Sequence, residues 1–552
     1  MFGKQIPNTR RNRAWMKEML LMAEDYLTKP CECLPYSLFE LYEKQGTRLE
    51  YENACLEHRK RLSSFFFSYL WTNDQKWFMP LIDAIWATLD EFTWAFPAHV
   101  ITVKTKDIPS CVDLFNAETC ASVSWIYGIL KDELPLMVKE RIEIEINRRI
   151  VEPFFAGKVG FPKNNWSAVE CVGISAALSH VFPDRFEEGL PAILNGLERF
   201  LSSYEADGCC MEGVTYWMYG FGFFCYAANL ICDFTKGKVD LFADEKVRTI
   251  ASFRQKAAFG KGYVVPFADC PICCRTKSGL SRFLCDKYPE VYFPSDDDIV
   301  AFLEDGRFRF MDILHDLFWD RDEPSVHKNE NPYYEKGEYY FADAQWFIKR
   351  DSVSFAVKGG HNDEPHNHND VGSFSVFDGE KFVFGDIGWA EYDKNYFHGD
   401  RYANICASSF GHSVPIVNGQ GQRLLGVEAK STVEEVGKDT ITFDIGKVYG
   451  VNAFKRRFTF HKTALTVTDE CEEPYIERLT CLQKPTVSGT GIECSGFTAY
   501  VDIPCKIEIT EKTYQPRRIL CSFAYKEWET VYLVDFIPTE KQNKITLTIE
   551  KK

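Results

Sequence analysis

The sequence predicts an α+β protein of more than one domain, with a toroid of helical hairpins followed by an antiparallel β-sandwich. Apolar residues recur every three or four positions up to about residue 330, as in helices that bury one face. From about residue 338 they alternate with polar residues, as in half-buried strands. The chain has 552 residues, which is long for a single domain.

The helical pattern is clearest in four segments, which are 13–27, 83–92, 124–155 and 167–182. Prolines that interrupt a regular helix fall between or beside them, at Pro30, Pro97, Pro162 and Pro183. Many helices of similar length, joined by short loops and rich in aromatic residues, favour a toroid of helical hairpins.

The strand pattern is clearest in five segments rich in β-branched and aromatic residues, which are 353–360, 372–386, 439–450, 464–473 and 543–552. Asp378-Gly379 between two such runs indicates a hairpin turn. The charged stretch 319–338 is the expected linker. We therefore expect a helical domain over residues 1–335 and a sandwich over residues 336–552.

Composition excludes several classes of function. Asp plus Glu number 80 against 64 Lys plus Arg, giving a net charge of −16, which disfavours nucleic-acid binding because phosphate affinity needs clustered cations. If the protein handles a polyanion, its positive charge must be local. The N-terminal segment predicts an amphipathic helix without the apolar region of a signal peptide, and no long apolar run predicts a membrane span. We expect a cytoplasmic protein, and a homodimer is an assembly that the sequence leaves open.

Cysteine is abundant, with 20 residues, but the chain is long and carries no secretion signal. Most of these cysteines are therefore expected to be buried thiols. Cys270, Cys273 and Cys274 contain a CxxC spacing, but no second CxxC pairs with it, so a zinc or redox role is the less favoured interpretation.

Histidines concentrate in one region of the strand-rich half. Residues 361–412 hold five of the 11, namely His361, His366, His368, His398 and His412. A His-x-His pair followed by Asp386 and His412 is a credible zinc set, because imidazole and carboxylate groups suit that ion. Asp363 and Asp370 are candidates for orienting the imidazoles. The alternative is a polar loop with surface histidines.

Two polar islands interrupt the helical half. One is Lys163-Asn164-Asn165-Trp166, where an asparagine could simply cap the next helix. The other runs from Asp207 to Gly220 and contains Glu212, Tyr216 and Tyr219, whose tyrosines could equally be aromatic core. Neither island is specific by itself.

Together with the histidine-rich region, these islands resemble the heparinase II/III-like family of polysaccharide lyases. The matching pieces run in family order across most of the chain, and the block around His366 is the most specific. They are Glu91–His99, Asp113–Thr119, Asn164–Trp166, Glu212–Gly220, His366–Phe374, Gly385–Gly388 and Ser409–Gly419. The resemblance implies an incomplete (α/α) toroid followed by an antiparallel β-sandwich, with the active site in the cleft between them.

The resemblance also implies an activity, the cleavage of uronic-acid-containing glycans such as heparan sulfate or alginate by β-elimination. The proton on C5 of a uronate is weakly acidic, so the C6 carboxylate charge must be neutralised before abstraction. A His or a deprotonated Tyr then takes the C5 proton, and a Tyr hydroxyl protonates the departing O4. An acidic oligo- or polysaccharide is the expected partner.

Roles carried over by resemblance place Asn165 on the substrate carboxylate, Tyr219 as the acid and also the base, and His366 facing the substrate from the sandwich. Tyr216 is the alternative to Tyr219, one helical turn away. A further tyrosine is expected after Asp386, where spacing does not decide between Tyr396 and Tyr402. We assign Tyr402 to catalysis.

The remaining carried-over roles are substrate contacts and metal ligands. The implied substrate contacts are Trp166, Glu212, Tyr216, His361, Tyr396 and His99. His368, Asp386 and His412 match the family's zinc ligands, where the metal orders the cleft more than it reacts.

Two other functions compete with the lyase. A glycoside hydrolase needs two carboxylates roughly 5–9.5 Å apart across the scissile bond, and Glu212 and Asp207 are the candidates. A non-catalytic carbohydrate-binding protein would keep the aromatic residues and zinc ligands while losing Tyr219 or Asn165, and this sequence retains both.

Overall fold

The structure is a computed structural model that describes residues 2–304, 307–322, 331–397, 401–424, 426–517 and 529–552. Helices fill the N-terminal half and strands the C-terminal half. The last long helix ends at Trp319, and the first strand of the two large sheets begins at Gly337. The change falls within the expected linker, of which residues 323–330 lie outside the described part, as does His398.

The helices of the first half are α1 (Arg10–Leu27), α2 (Tyr36–Phe39), α3 (Leu41–Gln45), α4 (Leu49–Thr72), α5 (Phe78–Asp90), α6 (Pro97–Val103), α7 (Leu114–Leu130), α8 (Leu136–Ile146), α9 (Glu152–Phe155), α10 (Asn165–Ala176), α11 (Phe186–Leu201), α12 (Val214–Tyr216), α13 (Gly222–Phe234), α14 (Glu245–Ala251), α15 (Phe253–Ala257), α16 (Ser278–Lys287) and α17 (Phe310–Trp319). A short hairpin, β1 (Ala258–Gly260) and β2 (Tyr263–Val264), lies among them. π-helical turns occupy Asn147–Val151, Ala177–Val181 and Trp217–Phe221.

Helices α7, α10, α11 and α13 pack side by side, as do α1, α4 and α5. Helices α7 and α10 approach closely because Gly173 has no side chain. A Cβ at this position would lie 2.6 Å from the carbonyl oxygen of Ala117. Their contact surface is apolar and fully buried, so burial of this face is what holds the helical layer together.

The strands form two antiparallel sheets. Their bounds are β3 (Gly337–Phe341), β4 (Trp346–Arg350), β5 (Ser354–Lys358), β6 (Phe374–Phe377), β7 (Phe382–Phe384), β8 (Ile416–Val417), β9 (Thr432–Gly437), β10 (Thr440–Asp444), β11 (Lys455–Phe460), β12 (Ala464–Glu470), β13 (Tyr475–Cys481), β14 (Thr486–Ser488), β15 (Gly491–Cys494), β16 (Phe497–Val501), β17 (Cys505–Tyr514), β18 (Glu529–Pro538) and β19 (Lys544–Lys551). A short helix, α18 (Gly446–Tyr449), lies between β10 and β11.

One sheet has the order β17-β18-β13-β7-β6-β5-β4-β3, with β8 paired to β13, and the other has the order β14-β15-β16-β19-β12-β11-β10-β9. Their facing side chains form one apolar core, in which the rings of Phe347 on β4 and Phe460 on β11 stack with centroids 4.9 Å apart. This is the sandwich that the alternating pattern predicts.

The sheet topology positions the histidine-rich region. Strands β5, β6 and β7 are consecutive antiparallel neighbours. The β5–β6 connection (359–373) and the segment that follows β7 therefore leave the sheet at the same end of its strands. This brings His366 and His368 close to Asp386 although they are far apart in sequence.

Some predicted segments differ from the structure. The run 124–155 is divided because Pro135 begins a new helix, so α7 ends at Leu130 and α8 starts at Leu136. The second half of 439–450 is the short helix α18 instead of strand. The hairpin β1–β2 lies inside the half that the sequence predicts as helical.

The cysteines behave as predicted. The 19 described cysteines are all free, and 13 of them are buried. Among the described residues, no helix is both long enough and apolar enough to cross a membrane.

Candidate functional site

A cavity of about 470 Å³ lies between the helical half and the sandwich. The helical half contributes Asn165, Trp166 and Tyr219 to its wall, and the strand-rich half contributes His366 and Arg517. A volume of this size falls within the range of roughly 300–1,000 Å³ that is usual for small-molecule sites. The cavity is therefore the first candidate for a functional site.

The wall of this cavity is cationic although the protein as a whole is acidic. Six Lys or Arg side chains line it, against two lining carboxylates, Glu118 and Asp312. Two more carboxylates that do not line it, Glu52 and Glu91, pair with three of the arginines, so the cations still outnumber the carboxylates. The cationic residues are Arg48, Arg59, Lys277, Arg307, Arg309 and Arg517. Positive charge concentrated in a cleft attracts anionic ligands even when the net charge is negative.

Asn165 is placed in the wall by the start of helix α10. The side chain of Asn164 caps this helix by accepting a hydrogen bond from the backbone N–H of Trp166, at 3.0 Å. Asn165 is thus the first helical residue, and it is 7% exposed. Within the described residues its side-chain amide makes no hydrogen bond to protein, so the amide is available to a ligand. The capping interpretation is correct for Asn164, and the two asparagines have different roles.

His366 faces the cavity from the β5–β6 connection with a backbone φ of +56°, which is uncommon for a residue with a side chain. Its Nδ1 lies 2.6 Å from Oδ2 of Asp269, a fully buried carboxylate of the helical half. Strain of this kind often marks functional sites. The Asp269 contact fixes the orientation of the imidazole ring across the cleft.

Asp269 is the centre of a buried hydrogen-bond cluster. Besides His366, it contacts the side chains of His368, Tyr392, Tyr396 and Arg401. Burial alone would raise the pKa of this carboxyl, but Arg401 and the two histidines hold it well below its usual range. The cluster therefore keeps a permanent negative charge beneath His366.

Tyr216 packs directly on His366. Their rings stack with centroids 4.1 Å apart, and the Tyr216 hydroxyl lies 3.0 Å from that of Tyr392. Burial raises the pKa of Tyr216, and the positive charge of Arg517 opposes this effect. Both tyrosines line the cavity, so Tyr216 and His366 present a phenol and an imidazole to the same space.

Tyr219 also lines the cavity, but its hydroxyl is engaged elsewhere. It donates a hydrogen bond of 2.7 Å to Oε1 of Glu118, which is also paired with Arg309. The Arg309 guanidinium lies over the Tyr219 ring, 4.0 Å from its centroid. Burial and the Glu118 charge raise the pKa of Tyr219 well above its ordinary value. This arrangement keeps the phenol protonated.

The tyrosine after Asp386 that lines the cavity is Tyr392, which is neither of the two candidates from the sequence. Tyr396 is buried with its hydroxyl on Asp269, and Tyr402 donates a hydrogen bond of 3.0 Å to Asn367. Neither Tyr396 nor Tyr402 lines the cavity. Three tyrosines within eleven residues cannot be ranked by spacing, because only the fold of the segment decides which one reaches the cleft.

Of the other expected substrate contacts, His99 and Trp166 line the cavity together, with ring centroids 5.0 Å apart. His99 is oriented by Asp113, whose Oδ2 lies 2.6 Å from Nδ1. His361 does not reach the cavity. Its ring accepts a hydrogen bond from the backbone N–H of Asp363, because both residues belong to a turn at the sheet edge.

Glu212 lies beside the cavity, in a small adjoining pocket that Asn165 and Tyr216 also line. Its Oε2 is 3.7 Å from Nε2 of His366, and burial raises its pKa. Asp207 is used structurally, because its carboxylate accepts hydrogen bonds from the backbone N–H groups of Asp343 and Ala344.

A second cluster next to His366 has the character of a metal site. It consists of four fully buried residues whose potential ligand atoms all lie within 4.8 Å of one another: His368, Asp370, Asp386 and His412. Among the described residues, one atom of each makes no hydrogen bond, namely Nδ1 of both histidines and Oδ2 of both aspartates, and Nδ1 of His412 lies 3.4 Å from Oδ2 of Asp386. Buried polar atoms without partners are rare, and four converging ones fit a cation.

The outer contacts of the two histidines support this fit. Nε2 of His368 lies 3.1 Å from Asp269, and Nε2 of His412 lies 2.9 Å from the carbonyl oxygen of Cys406. Such contacts orient the opposite ring nitrogen toward a metal. Asp370, expected behind the ligands, lies among them and is also bound by Lys358, whereas Asp363 is exposed and outside the cluster.

Sequence reasoning missed three residues of the site, Asp269, Tyr392 and Arg517. Asp269 had a signal, because it is a lone carboxylate within the apolar run Val264–Cys274. Tyr392 lies where a tyrosine was expected, but spacing did not separate it from its neighbours, and Arg517 had no signal. Arg517 stacks on the Tyr392 ring at 3.5 Å, and only the folded chain brings these residues together.

No protein-family model matches the chain, and no curated protein matches its sequence. Solved structures do match it over nearly its whole length. A heparinase III structure has a TM-score of 0.64 at 13% identity, with 99% of this chain and 85% of that chain covered. A chondroitin AC lyase from Streptomyces coelicolor A3, in complex with chondroitin sulphate, has a TM-score of 0.59 at 10% identity, covering 99% and 80%.

A mutant of heparan sulfate lyase HepC from Pedobacter heparinus has a TM-score of 0.55 at 12% identity, covering 98% of this chain and 89% of that chain. At these identities the likeness concerns the fold. It confirms an (α/α) toroid followed by an antiparallel β-sandwich, as the sequence predicts, and it agrees with the resemblance to heparinase-like lyases.

Proposed function

We propose that the protein is a lyase that cleaves uronic-acid-containing oligo- or polysaccharides by β-elimination. The observation that carries this proposal is the convergence of Asn165, Tyr216 and His366 on one cationic cavity. Solved structures with the same fold include a heparinase, a heparan sulfate lyase and a chondroitin lyase, which supports an acidic glycan as substrate. Glycosaminoglycan-type and alginate-type uronates both fit this chemistry.

The first requirement of the reaction is to neutralise the C6 carboxylate while negative charge develops at C5. In our proposal the Asn165 amide donates a hydrogen bond to this carboxylate, within the field of the surrounding arginines. Donors held in place before the reaction stabilise such charge better than water does, because they need not reorganise.

The second requirement is a pair of proton transfers. Asp269 holds the Nδ1 side of His366, which assigns the Nε2 side to removal of the C5 proton. Tyr216, stacked on His366, then donates its proton to the departing O4. We prefer Tyr216 to Tyr219, because the Tyr219 hydroxyl is held by Glu118 on the side of the helical half.

We further propose that His368, Asp370, Asp386 and His412 bind a divalent cation, with zinc the best match to two imidazoles and two carboxylates. A bound cation would join the β5–β6 connection to the segment after β7, because each supplies two of the four residues. His366 lies two residues before His368, so a cation bound to His368 would also help to hold His366 in position.

The hydrolase alternative receives no support from the carboxylates. Asp207 caps a backbone turn, and Glu118 in the cavity is neutralised by Arg309. The other cavity carboxylate, Asp312, contacts Lys277 at 3.5 Å and the Tyr226 hydroxyl at 3.0 Å. Glu118 and Asp312 are partners of cations, and Asp207 holds backbone. The second candidate from the sequence, Glu212, lies in the adjoining pocket, 3.7 Å from Nε2 of His366, and among the described residues has no second carboxylate opposite it in the cavity that is free of a cation.

Ultraviolet absorbance during incubation with uronate oligosaccharides tests the proposal. Elimination creates a C4–C5 double bond conjugated to the carboxylate, so absorbance should rise in step with cleavage. Cleavage without this absorbance would contradict the proposed reaction. The Asn165→Ala protein provides the matched control for contaminating activity.

A further inference from the structure

Backbone segments from the two halves of the molecule meet beside the cavity and form a bridge. The backbone N–H of Lys394, in the segment after β7, donates a hydrogen bond of 3.1 Å to the carbonyl oxygen of Gly46, which ends helix α3. Gly46 has a φ of +77°, and a Cβ there would lie 3.0 Å from the Cβ of Lys394. These two segments of the chain are therefore in direct contact.

The residues around this bridge belong to the cavity wall. Tyr42 and Arg48 lie on either side of Gly46 in sequence, and Tyr392 lies two residues before Lys394. All three line the cavity. Because wall residues flank the bridge in both segments, the bridge lies beside the cavity, where the helical half and the sandwich meet.

Three arginines line the cavity near the bridge. Arg48 and Arg307 share one carboxylate, Glu52, at 2.6 and 3.8 Å. Arg517 stacks on Tyr392 at 3.5 Å and interacts electrostatically with Tyr216 and Glu391. Burial lowers the pKa of Arg307 to about 10, Glu52 opposes this shift, and the nearby charges of Arg309, Arg517 and Arg48 add to it.

A guanidinium whose pKa is lowered by neighbouring cations is stabilised when an anion enters beside it. A cavity of about 470 Å³ also has the size of a site for one small ligand. A long polymer needs a groove that is open at both ends. The bridge, the charge and the volume together fit a short acidic chain that enters by one end.

We infer that the bridge closes one end of the cavity and that the protein acts at chain ends, with the arginines near the bridge binding an anionic group of the terminal sugar. This inference rests on the proposed function and specifies its substrate as short acidic oligosaccharides cleaved exolytically. The anionic group is a carboxylate or a sulfate ester, since both offer the oxygen acceptors that arginine binds.

Product analysis on the full-length protein tests this inference. Uronate hexa- and octasaccharides, with and without sulfate, are digested and the earliest products are sized by mass spectrometry. We expect one small product of constant size from both lengths from the start of the reaction. An initial mixture of intermediate lengths would overturn the inference while leaving elimination intact. Products that have gained water would overturn both this inference and the proposed function.

Two variants test the residues. Arg307→Gln should raise KM about tenfold with a smaller change in kcat, because a charged contact to the bound terminal unit is lost. Arg307→Lys, which keeps the charge, should recover much of the affinity and controls for misfolding. The matched surface control is Arg248→Gln, where Arg248 is paired with Glu290 away from the cavity. An unchanged KM in a folded Arg307→Gln protein would exclude the arginine site.

Gly46→Val tests the bridge itself. A branched side chain at a φ of +77°, with its Cβ 3.0 Å from the Cβ of Lys394, must push the two segments apart. We expect products of intermediate length to appear among the first products of this variant. A folded Gly46→Val protein that still releases one product size would show that the bridge does not set the cleavage mode.

Discussion

Tyr216 and Tyr219 lie three residues apart and both reach the cavity, yet their hydroxyl groups have different partners. Tyr216 lies against His366 and Tyr392, whereas Tyr219 is held by Glu118 and Arg309. Residues three apart on a helix lie on the same side, so sequence spacing could not separate them. The residues supplied by the sandwich and by the loop before α17 make the distinction.

We predict that Tyr216→Phe lowers kcat by about 10²–10⁴-fold, the usual contribution of a general acid or base. The ring and its stacking on His366 remain, so circular dichroism and melting temperature should stay near those of the parent. Tyr219→Phe is the matched comparison and should cost less activity. Full activity of Tyr216→Phe together with an inactive Tyr219→Phe would reverse the assignment.

The neighbouring asparagines allow a second test. Asn165→Ala should cost about 3 kcal/mol of transition-state stabilisation, by analogy with a lost oxyanion donor, and little stability. Asn164→Ala should instead cost about 1 kcal/mol of stability, because it removes the cap of α10. Steady-state kinetics and thermal melting of both variants separate the two roles. Equal kinetic losses in a folded Asn164→Ala protein would contradict this division.

At the scale of elements, the end of helix α5 is linked to helix α4 through Glu91. Nδ1 of His58 lies 2.8 Å from Oε1 of Glu91. The guanidinium of Arg59 donates a hydrogen bond of 2.6 Å to each of the two Glu91 carboxylate oxygens. Burial alone would lower the pKa of His58, but hydrogen bonds with Cys31 and Glu91 raise it to about 9. An unfolded histidine has a pKa of about 6.5.

A raised pKa in the folded state means that the folded protein binds the proton more tightly than the unfolded chain. The stabilisation is therefore complete below about pH 6.5 and is lost as pH rises through about 9. The contribution of His58 to the free energy of unfolding is on the order of 3 kcal/mol. We predict that His58→Gln lowers the melting temperature clearly at pH 6 and little at pH 10. The exposed His461→Gln is the control, and equal losses at both pH values for His58→Gln would contradict the account.

The β5–β6 connection and the segment after β7 are joined by the four-residue cluster described above. We predict about one zinc per chain by elemental analysis, and a lower melting temperature in chelator or in His368→Ala, because the binding energy of a structural ion adds to folding. His361→Ala lies on the same connection but outside the cluster and should change neither quantity. Metal-free protein with chelator-insensitive melting would contradict the prediction.

How far the sequence predicts these elements depends on what determines them. The helical and strand periods and the caps are local, so the two halves and the position of Asn165 follow from the sequence. Asp269 orders His366, His368 and three further side chains across the two halves, and a contact between residues about 100 positions apart leaves no local pattern. The same reason explains why Tyr392 was overlooked in favour of Tyr396 and Tyr402.

For the molecule as a whole, the sequence places a condition on function that the structure meets. A chain with a net charge of −16 can hold a polyanion only where positive charge is local, and the cavity wall carries six cationic side chains against two carboxylates. The fold class follows from the two periods and is confirmed by the solved structures. The domain limits 1–335 and 336–552, the cytoplasmic location and a homodimer stay predictions.

The central claim is that this cavity breaks glycosidic bonds by elimination and not by adding water. Digestion of a uronate oligosaccharide in oxygen-18 water, followed by mass spectrometry, distinguishes the two directly. We predict that each cleavage yields an unsaturated uronate end and that cleavage itself introduces no oxygen-18, after correction for slow exchange at the reducing end in a control without enzyme. Products that gain one oxygen-18 per cleavage and carry no double bond would contradict the account.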